Sequence, residues 1–402
     1  MVEEHDIVVI GGGQAGLAMS AVLRERGREH VVLERHRVAE RWRSERWDSL
    51  RFQFPNWSVE LPGFRYAGDD ADGFATAAEI TRLLEAYATG TPVREHTEVC
   101  LVTRNAEGLF QIDTNHGKVH ARRVVVATGP FQRPRIPALA ARLPAHITQL
   151  DPTRYRNPHE LSSGAVLVVG AGASGIQIAE ELLGAGRDVF LAVSRHRRVP
   201  RSFRGRDVYW WLDRMGRFDQ TIDAFPGRRW PPHTAVTGVG GGHDIDLRRL
   251  ARAGALVVGS VRDVSAGRIV LAGNANQVLD EADAAFVSFV QTAREFASSL
   301  DEALGEDDAA LPTSAPVLEL DEIELARSGI SSVVWATGYR YDYGWLQLDV
   351  VDAEQRPVQR RGVTAVPGLC FLGLHWMHTF KSGLLSGVGA DAEHLADTVL
   401  SD

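Results

Sequence analysis

Ile7-Val8-Val9-Ile10-Gly11-Gly12-Gly13-Gln14-Ala15-Gly16 decides the fold. Four consecutive β-branched apolar residues read as a strand buried on both faces. The strand runs directly into GxGxxG through Gly11, Gly13 and Gly16. A helical stretch follows from Leu17 to Arg26, closed by Gly27. A second apolar strand, His30–Leu33, then ends in Glu34, with Arg35 behind it. Gly11 permits the tight turn, Gly13 lets backbone approach a pyrophosphate, and Gly16 lets helix and strand pack closely. Gln14 and Ala15 open the helix, whose first turn offers unpaired N–H groups and a positive dipole end. Glu34 can accept hydrogen bonds from ribose hydroxyls. A lone GxGxxG is weak; strand, helix, second strand and terminal acid in this order define a dinucleotide-binding unit.

The pattern recurs in mid-chain. Ala165–Val169 is apolar and leads into Gly170-Ala171-Gly172-Ala173-Ser174-Gly175, a helical stretch from Ile176 to Leu183, and a strand over Val189–Val193. This strand does not end in an acid but runs into Ser194-Arg195-His196-Arg197-Arg198. No carboxylate repels a 2′-phosphate there, and Ser194 and Arg195 supply donors and charge for one, so the pattern favours NADPH over NADH. Arg195 is better placed for this than Arg197 or Arg198; a solvated basic loop is the alternative. Two units imply two different dinucleotides, a flavin and a nicotinamide, because a duplicated nicotinamide site leaves no hydride acceptor.

Val124–Gly129 and Val333–Tyr339 are near copies, each a short apolar strand ending in Ala-Thr-Gly, through Thr128-Gly129 and Thr337-Gly338. They bracket the second glycine turn and mark the crossings between a first domain and an inserted one. The expected fold is α/β, with two Rossmann-like doubly wound domains. Residues 1–160 and 334–402 are expected to form a discontinuous FAD-binding domain, and 161–333 the inserted NADPH-binding domain.

Composition narrows the function. The 402 residues leave room for two or three domains, and 44% hydrophobic with 24% charged residues excludes coiled coil, collagen and disorder. A net charge of −8 gives no overall pull toward nucleic acid or anionic membranes. Cys100 and Cys370 are the only cysteines and lie far apart, which excludes a disulfide-rich scaffold, a cysteine zinc site and a thioredoxin-reductase-type dithiol. His375 and His378 form HxxH, too little for a metal site, and no metal is expected. No apolar run reaches the ~18–20 residues of a membrane span. The acidic start leads straight into a strand, unlike a secretory signal, so a soluble cytoplasmic protein is expected.

The order of these elements resembles the two-dinucleotide-binding-domain flavoproteins and, within them, the flavin-containing monooxygenases. Glu34, Trp42-Arg43, Trp47-Asp48-Ser49-Leu50, Phe54-Pro55 and Glu60-Leu61-Pro62 are similar to the YUCCA-like branch of bacteria and plants. So are the second Ala-Thr-Gly-Tyr, Gly368–Leu374 and Ser382–Gly389, so that the resemblance covers nearly the whole chain. It implies FAD and NADPH as cofactors, and a small molecule with O2 as reaction partners. One oxygen atom would pass through a flavin C4a-peroxide to nitrogen, sulfur or a carbonyl. Trp42, Arg43 and Trp47 follow the family's flavin-contacting segment. Gln53 falls where family members place a polar residue near the flavin's reactive face, with Asn56 close by. These two amides are the candidate catalytic residues, holding peroxide or substrate. Ser382, Gly383 and Leu384 are expected to open a helix running to Leu400, its dipole facing the flavin ring. Lys381 would add charge there, and His375, Trp376, Met377 and His378 would line the flavin pocket.

The chain departs from the family at Ala145–Tyr155. There the fingerprint FxGxxxHxxx plus an aromatic keeps only Tyr155, with Ala145, Ile147 and Asp151 in place of Phe, Gly and His. In the family this segment links the domains and helps place NADPH. A non-oxygenating NADPH:flavin reductase or oxidase, and an FAD- and NADPH-binding sensor without turnover, remain as alternatives. The Arg- and Trp-rich stretch Pro200–Thr237 reads as a helical excursion of the inserted domain over the nicotinamide. Gly238–Gly242 reads as a loop closing on a ligand or a plain connector, and Ala303–Thr313 as an exposed acidic loop. The sequence sets neither the substrate nor the oligomeric state, a homodimer being one option.

Overall fold

A computed structural model describes residues 2–225, 227, 235–312 and 315–400. Glu3–Ile10 forms the middle of a seven-stranded sheet. In space the strands run Val93–Arg94, His30–Leu33, Glu3–Ile10, Gly117–Val126, Phe110–Thr114 and Val99–Arg104. Leu369–Phe371 joins the C-terminal end of Gly117–Val126 in parallel. The glycine-turn strand pairs in parallel on both sides, Ile7 opposite His30 and Arg123, and Ile10 opposite Leu33 and Val126. Ile7, Val8 and Val9 are fully buried, which is why the run is apolar without alternation. Phe110–Thr114 and Val99–Arg104 close the far edge antiparallel.

The second sheet is parallel throughout, in the order Thr148–Leu150, Ile330–Trp335, Ala165–Val169, Val189–Ala192 and Leu256–Val258. Helices Gln14–Glu25 and Ala173–Gly184 follow the two glycine turns. Helix Gln14–Glu25 packs against the C-terminal helix Val388–Thr398. The mixed α/β architecture with two parallel-stranded, glycine-turn units is the one expected. No helix among the described residues is long and apolar enough to cross a membrane.

Three expectations are corrected. First, the second sheet takes Thr148–Leu150 from ahead of residue 161 and extends to Trp335. An edge strand is laid beside Ile330–Trp335 before the chain enters the second glycine turn, and Tyr155 is buried in the second sheet's core. Second, the excursion after Val199 does not pack as part of the inserted unit. Val199, Phe203, Tyr209, Trp211 and Phe218 share a core with the first sheet, because their rings find partners there. Tyr209 meets Phe54 at 4.2 Å between ring centroids, and Phe218 stacks on Phe380 at 5.3 Å. Its helix is short, Val208–Arg214. Arg228, Arg229 and Trp230 of this stretch, and Thr313 of the acidic loop, lie outside the described residues. Third, the C-terminal helix begins at Val388 rather than Ser382. Phe380–Gly383 is a single 3-10 turn, and Leu384 is extended (φ −99°, ψ 158°), which separates the two.

Candidate dinucleotide cradles and active site

The two glycine turns have the same backbone geometry. Gly11 (φ +113°) and Gly170 (φ +115°) sit where an L side chain is strained, and a Cβ would lie 2.7 Å from the Ala127 carbonyl and 2.4 Å from the Ala336 carbonyl. A Cβ on Gly16 would lie 1.8 Å from the Gly11 oxygen, and one on Gly175 2.0 Å from the Gly170 oxygen. These contacts let each helix press onto its strand. At Gly13 and Gly172 a Cβ would meet nothing within 4 Å. Both glycines are N-caps with no side-chain cap, so the first-turn N–H groups remain for an anionic guest. The backbone therefore fits a pyrophosphate at each turn.

Both turns open onto one cavity of about 1500 Å³. Around the first turn it is lined by Gly11, Gly13, Gln14, Ala15, Glu34, Arg35, Trp42, Trp47, Thr128 and Gly129. Around the second it is lined by Gly170, Gly172, Ser174, Gly175, Ser194, Arg195, Thr337 and Gly338. Gln53, Gly383, Leu384 and His375 also line it. Four expected site residues lie elsewhere. Gly16 is packing, as above. Arg43 is exposed and paired with Glu85. Asn56 spends its amide on its own loop, donating to the Asp70 carbonyl at 2.9 Å and accepting from the Ala75 N–H at 3.0 Å. Ser382 is 1% exposed, and its hydroxyl accepts from the N–H groups of His378 and Thr379 at 3.1 and 3.0 Å. Trp376, Met377 and His378 are likewise off the cavity wall, and Lys381 is engaged by Asp213 at 3.3 Å.

Glu34 is held at the cavity edge by two backbone donors, Gly12 N–H at 2.6 Å and His36 N–H at 2.9 Å. In the basic run after the second cradle, Ser194, Arg195 and Arg197 line the cavity. Burial lowers the Arg197 guanidinium's pKa. Arg198 is consumed structurally: Asp244, Asp283 and Asp246 approach it at 3.0, 3.2 and 3.5 Å, and it lies 4.6 Å from the Phe286 ring centre. The three aspartates come from segments distant in sequence, so the basic run alone does not reveal that Arg198 is taken.

Among the cavity-lining cations that sequence reasoning missed are Arg41 and Arg46. Arg41 pairs with Glu45 at 2.8 Å and donates to the Phe131 and Gln132 carbonyls. Arg46 sits 5.1 Å from the Trp42 ring centre and donates to the Glu45 carbonyl at 2.9 Å. No carboxylate pairs with Arg46 among the described residues, and burial pushes its pKa down. Such a cation favours an anionic guest. Only the local arginine density hinted at it. Arg201, which the sequence offered only as part of the Arg- and Trp-rich stretch, is 6% exposed and donates to the backbone carbonyl of Gln53 at 2.7 Å. Asp207 anchors Arg201 at 2.6 Å, with the Phe74 ring centre 4.2 Å away. Burial raises the Asp207 pKa against the opposing pull of Arg201.

The two Ala-Thr-Gly crossings are tied together. Gln132 donates to Thr128 Oγ1 and the Gly129 carbonyl, both at 3.0 Å, and accepts from the Asp342 N–H at 2.7 Å. Arg135 N–H donates to the Gly338 carbonyl at 2.8 Å, and Thr337 Oγ1 to the Arg135 carbonyl. Tyr155 does not line the cavity. Its hydroxyl donates to Glu181 at 2.7 Å, and burial pushes the phenol's pKa up.

Two cradles of one geometry on a shared cavity define a two-dinucleotide-binding-domain oxidoreductase. Residues 8–213 match the pyridine nucleotide-disulphide oxidoreductase family, to which the chain belongs. An uncharacterized CzcO-like oxidoreductase of Geobacillus kaustophilus is 33% identical over 98% of each chain. The indole-3-pyruvate monooxygenase YUCCA1 of Oryza sativa subsp. japonica is 29% identical over 44% of each chain. The fold is similar to that of a flavin-containing monooxygenase from Stenotrophomonas maltophilia, with TM-score 0.69, 21% identity and 99% of each chain covered. The chain is therefore flavin-monooxygenase-like in sequence and fold. Neither Cys100 nor Cys370 lines the cavity.

Proposed function

We propose that the chain is an FAD-dependent, NADPH-consuming monooxygenase that transfers one oxygen atom of O2 to a small organic substrate. The observation that carries this reading is the single cavity onto which both cradles open. FAD is assigned to the first cradle, where Glu34 can hold ribose hydroxyls. NADPH is assigned to the second, where no acid follows Val189–Ala192 and Arg195 stands free to meet a 2′-phosphate. The FAD unit comprises residues 1–160 and 334–402 and the NADPH unit 161–333, with the seams moved so that Thr148–Leu150 and Trp335 belong to the latter. When bound, the two cofactors supply hydride and the activation of O2.

The chain's own residues bind, orient and exclude water. The turn N–H groups hold the pyrophosphates, and Arg46, beside Trp42, adds a positive charge to the cavity wall. Gln53, whose backbone carbonyl is held by Arg201, offers its side-chain amide to the substrate. Trp42, Phe52 and Phe54 form a chain of ring contacts at 5.9 and 5.1 Å that keeps this wall apolar. The departure at Ala145–Tyr155 favours a second reading, an NADPH:flavin reductase or oxidase without oxygen transfer.

Small amines, sulfides and ketones supplied with NADPH and isotopically heavy O2 separate the two. The proposal expects NADPH consumption matched by labelled product. NADPH consumption matched by hydrogen peroxide, with no labelled product from any substrate class, would overturn it in favour of the second reading.

A further inference from the structure

Gln177 lies on Ala173–Gly184, the helix that springs from the second glycine turn, and is 5% exposed. It lines the cavity, yet its amide nitrogen has no hydrogen-bond partner. A buried donor without an acceptor costs folding free energy, and an apolar side chain of the same length would avoid that cost. Its sequence neighbours Ile176 and Ile178 are fully buried in a core that also holds Trp47, with Leu50 packed against it. Gln177 and Gln53 line the same cavity.

We infer that Gln177 binds the nicotinamide-bearing half of the dinucleotide on the second cradle, its amide donating to a carboxamide or ribose oxygen of that half. The inference rests on the NADPH site proposed above. Ser194 and Arg195, at the end of Val189–Ala192, face the adenosine half, and the helix N-terminus at Ala173 and Ser174 faces the pyrophosphate. Gln177 is about one helical turn further on, on the helix whose Ile176 and Ile178 share a core with Trp47. A half-turn about its last torsion exchanges the amide's oxygen and nitrogen, so either end can be presented to the cavity.

Gln177→Met removes the donor at nearly constant length. Three quantities are measured on purified, FAD-loaded protein: the unfolding midpoint without dinucleotide, the Kd for NADP+, and the Kd for adenosine 2′,5′-bisphosphate, which lacks the nicotinamide half. The inference expects an unfolding midpoint no lower than that of the unchanged protein. It expects NADP+ binding weakened about 10- to 100-fold, and bisphosphate binding unchanged. Equal weakening of both ligands, or no weakening of either, overturns it, as does a lowered midpoint with NADP+ affinity intact. If the unchanged protein binds neither ligand, the NADPH site itself fails.

Discussion

The two glycine turns are nearly superposable in their constraints and opposite in their outlets. Each uses one glycine at positive φ beneath a carbonyl of an Ala-Thr-Gly crossing, and one glycine against its own turn. What differs is the end of the next strand. After His30–Leu33 stands Glu34, clamped by two N–H groups; after Val189–Ala192 stand Ser194 and Arg195, with Arg198 drawn away by three aspartates. On the proposed reading each turn holds a pyrophosphate, and a few side chains at the following strand end choose which dinucleotide occupies it.

The sharpest way to break this pairing is to insert a methyl at each packing glycine. Gly16→Ala places a Cβ 1.8 Å from a backbone oxygen and should abolish FAD retention, with a large loss of stability. Gly175→Ala, at 2.0 Å, should abolish NADP+ binding. Gly13→Ala makes no clash and should leave the unfolding midpoint near its original value while weakening FAD binding by about 100-fold, since its methyl enters the pyrophosphate's space. Flavin content after purification and thermal unfolding check all three. Equal stability loss at Gly13 and Gly16 would contradict the division of roles.

The strand-end difference is tested by smaller changes. Arg195→Ser should weaken NADPH about 10- to 100-fold and NADH by much less. Glu34→Gln should weaken FAD by about 10-fold, because the amide keeps only one acceptor for the Gly12 and His36 N–H groups and the ribose. Equilibrium titrations with each dinucleotide read both. Arg195→Ser weakening NADH and NADPH alike would remove the 2′-phosphate from the account.

The smallest expected effect is a pH dependence of stability. His30, buried at the start of the first cradle's second strand, donates from Nδ1 to the Arg28 carbonyl at 2.9 Å and pairs through Nε2 with Ser20 Oγ at 2.7 Å. Burial lowers its pKa below the ordinary 6.5. The folded state then binds the proton less readily than the unfolded chain. The stability contribution is full above the ordinary value and is lost as pH falls through the folded one. His196 in the second unit is lowered for the same reason. Unfolding midpoints between about pH 8 and about pH 5.5 should fall on the acid side, and less steeply in His30→Gln. An unchanged slope would mean that His30 does not carry this dependence.

Much of the frame was legible because it rests on local rules. The strand His30–Leu33 and the strand Ala165–Val169 were read to the residue, since buried parallel strands are continuous apolar runs bounded by glycine and charge. The positions of Gly11, Gly13, Gly16 and their counterparts follow from backbone contact alone. What stayed hidden depends on partners distant in sequence. Asn56 looked like Gln53 in chemistry, but the Asp70 carbonyl and Ala75 N–H claim it. Ser382 looked like a helix start, but its hydroxyl folds back onto His378 and Thr379. The excursion after Val199 carries charges and tryptophans that read as a helical cover of the inserted domain over the nicotinamide, whereas Tyr209 and Phe218 dock on Phe54 and Phe380 of the other unit. Gln177 gave no sequence signal, and Arg201 stood out only as one arginine of the Pro200–Thr237 stretch; its hold on the Gln53 backbone is visible only once distant segments are assembled.

The central claim is that the shared cavity brings the two bound dinucleotides within hydride-transfer reach. Anaerobic titration of the FAD-loaded protein with NADPH tests it most directly. The account predicts that the flavin absorbance bleaches with about one NADPH per FAD. Saturable NADPH binding that leaves the oxidised flavin spectrum intact would contradict it.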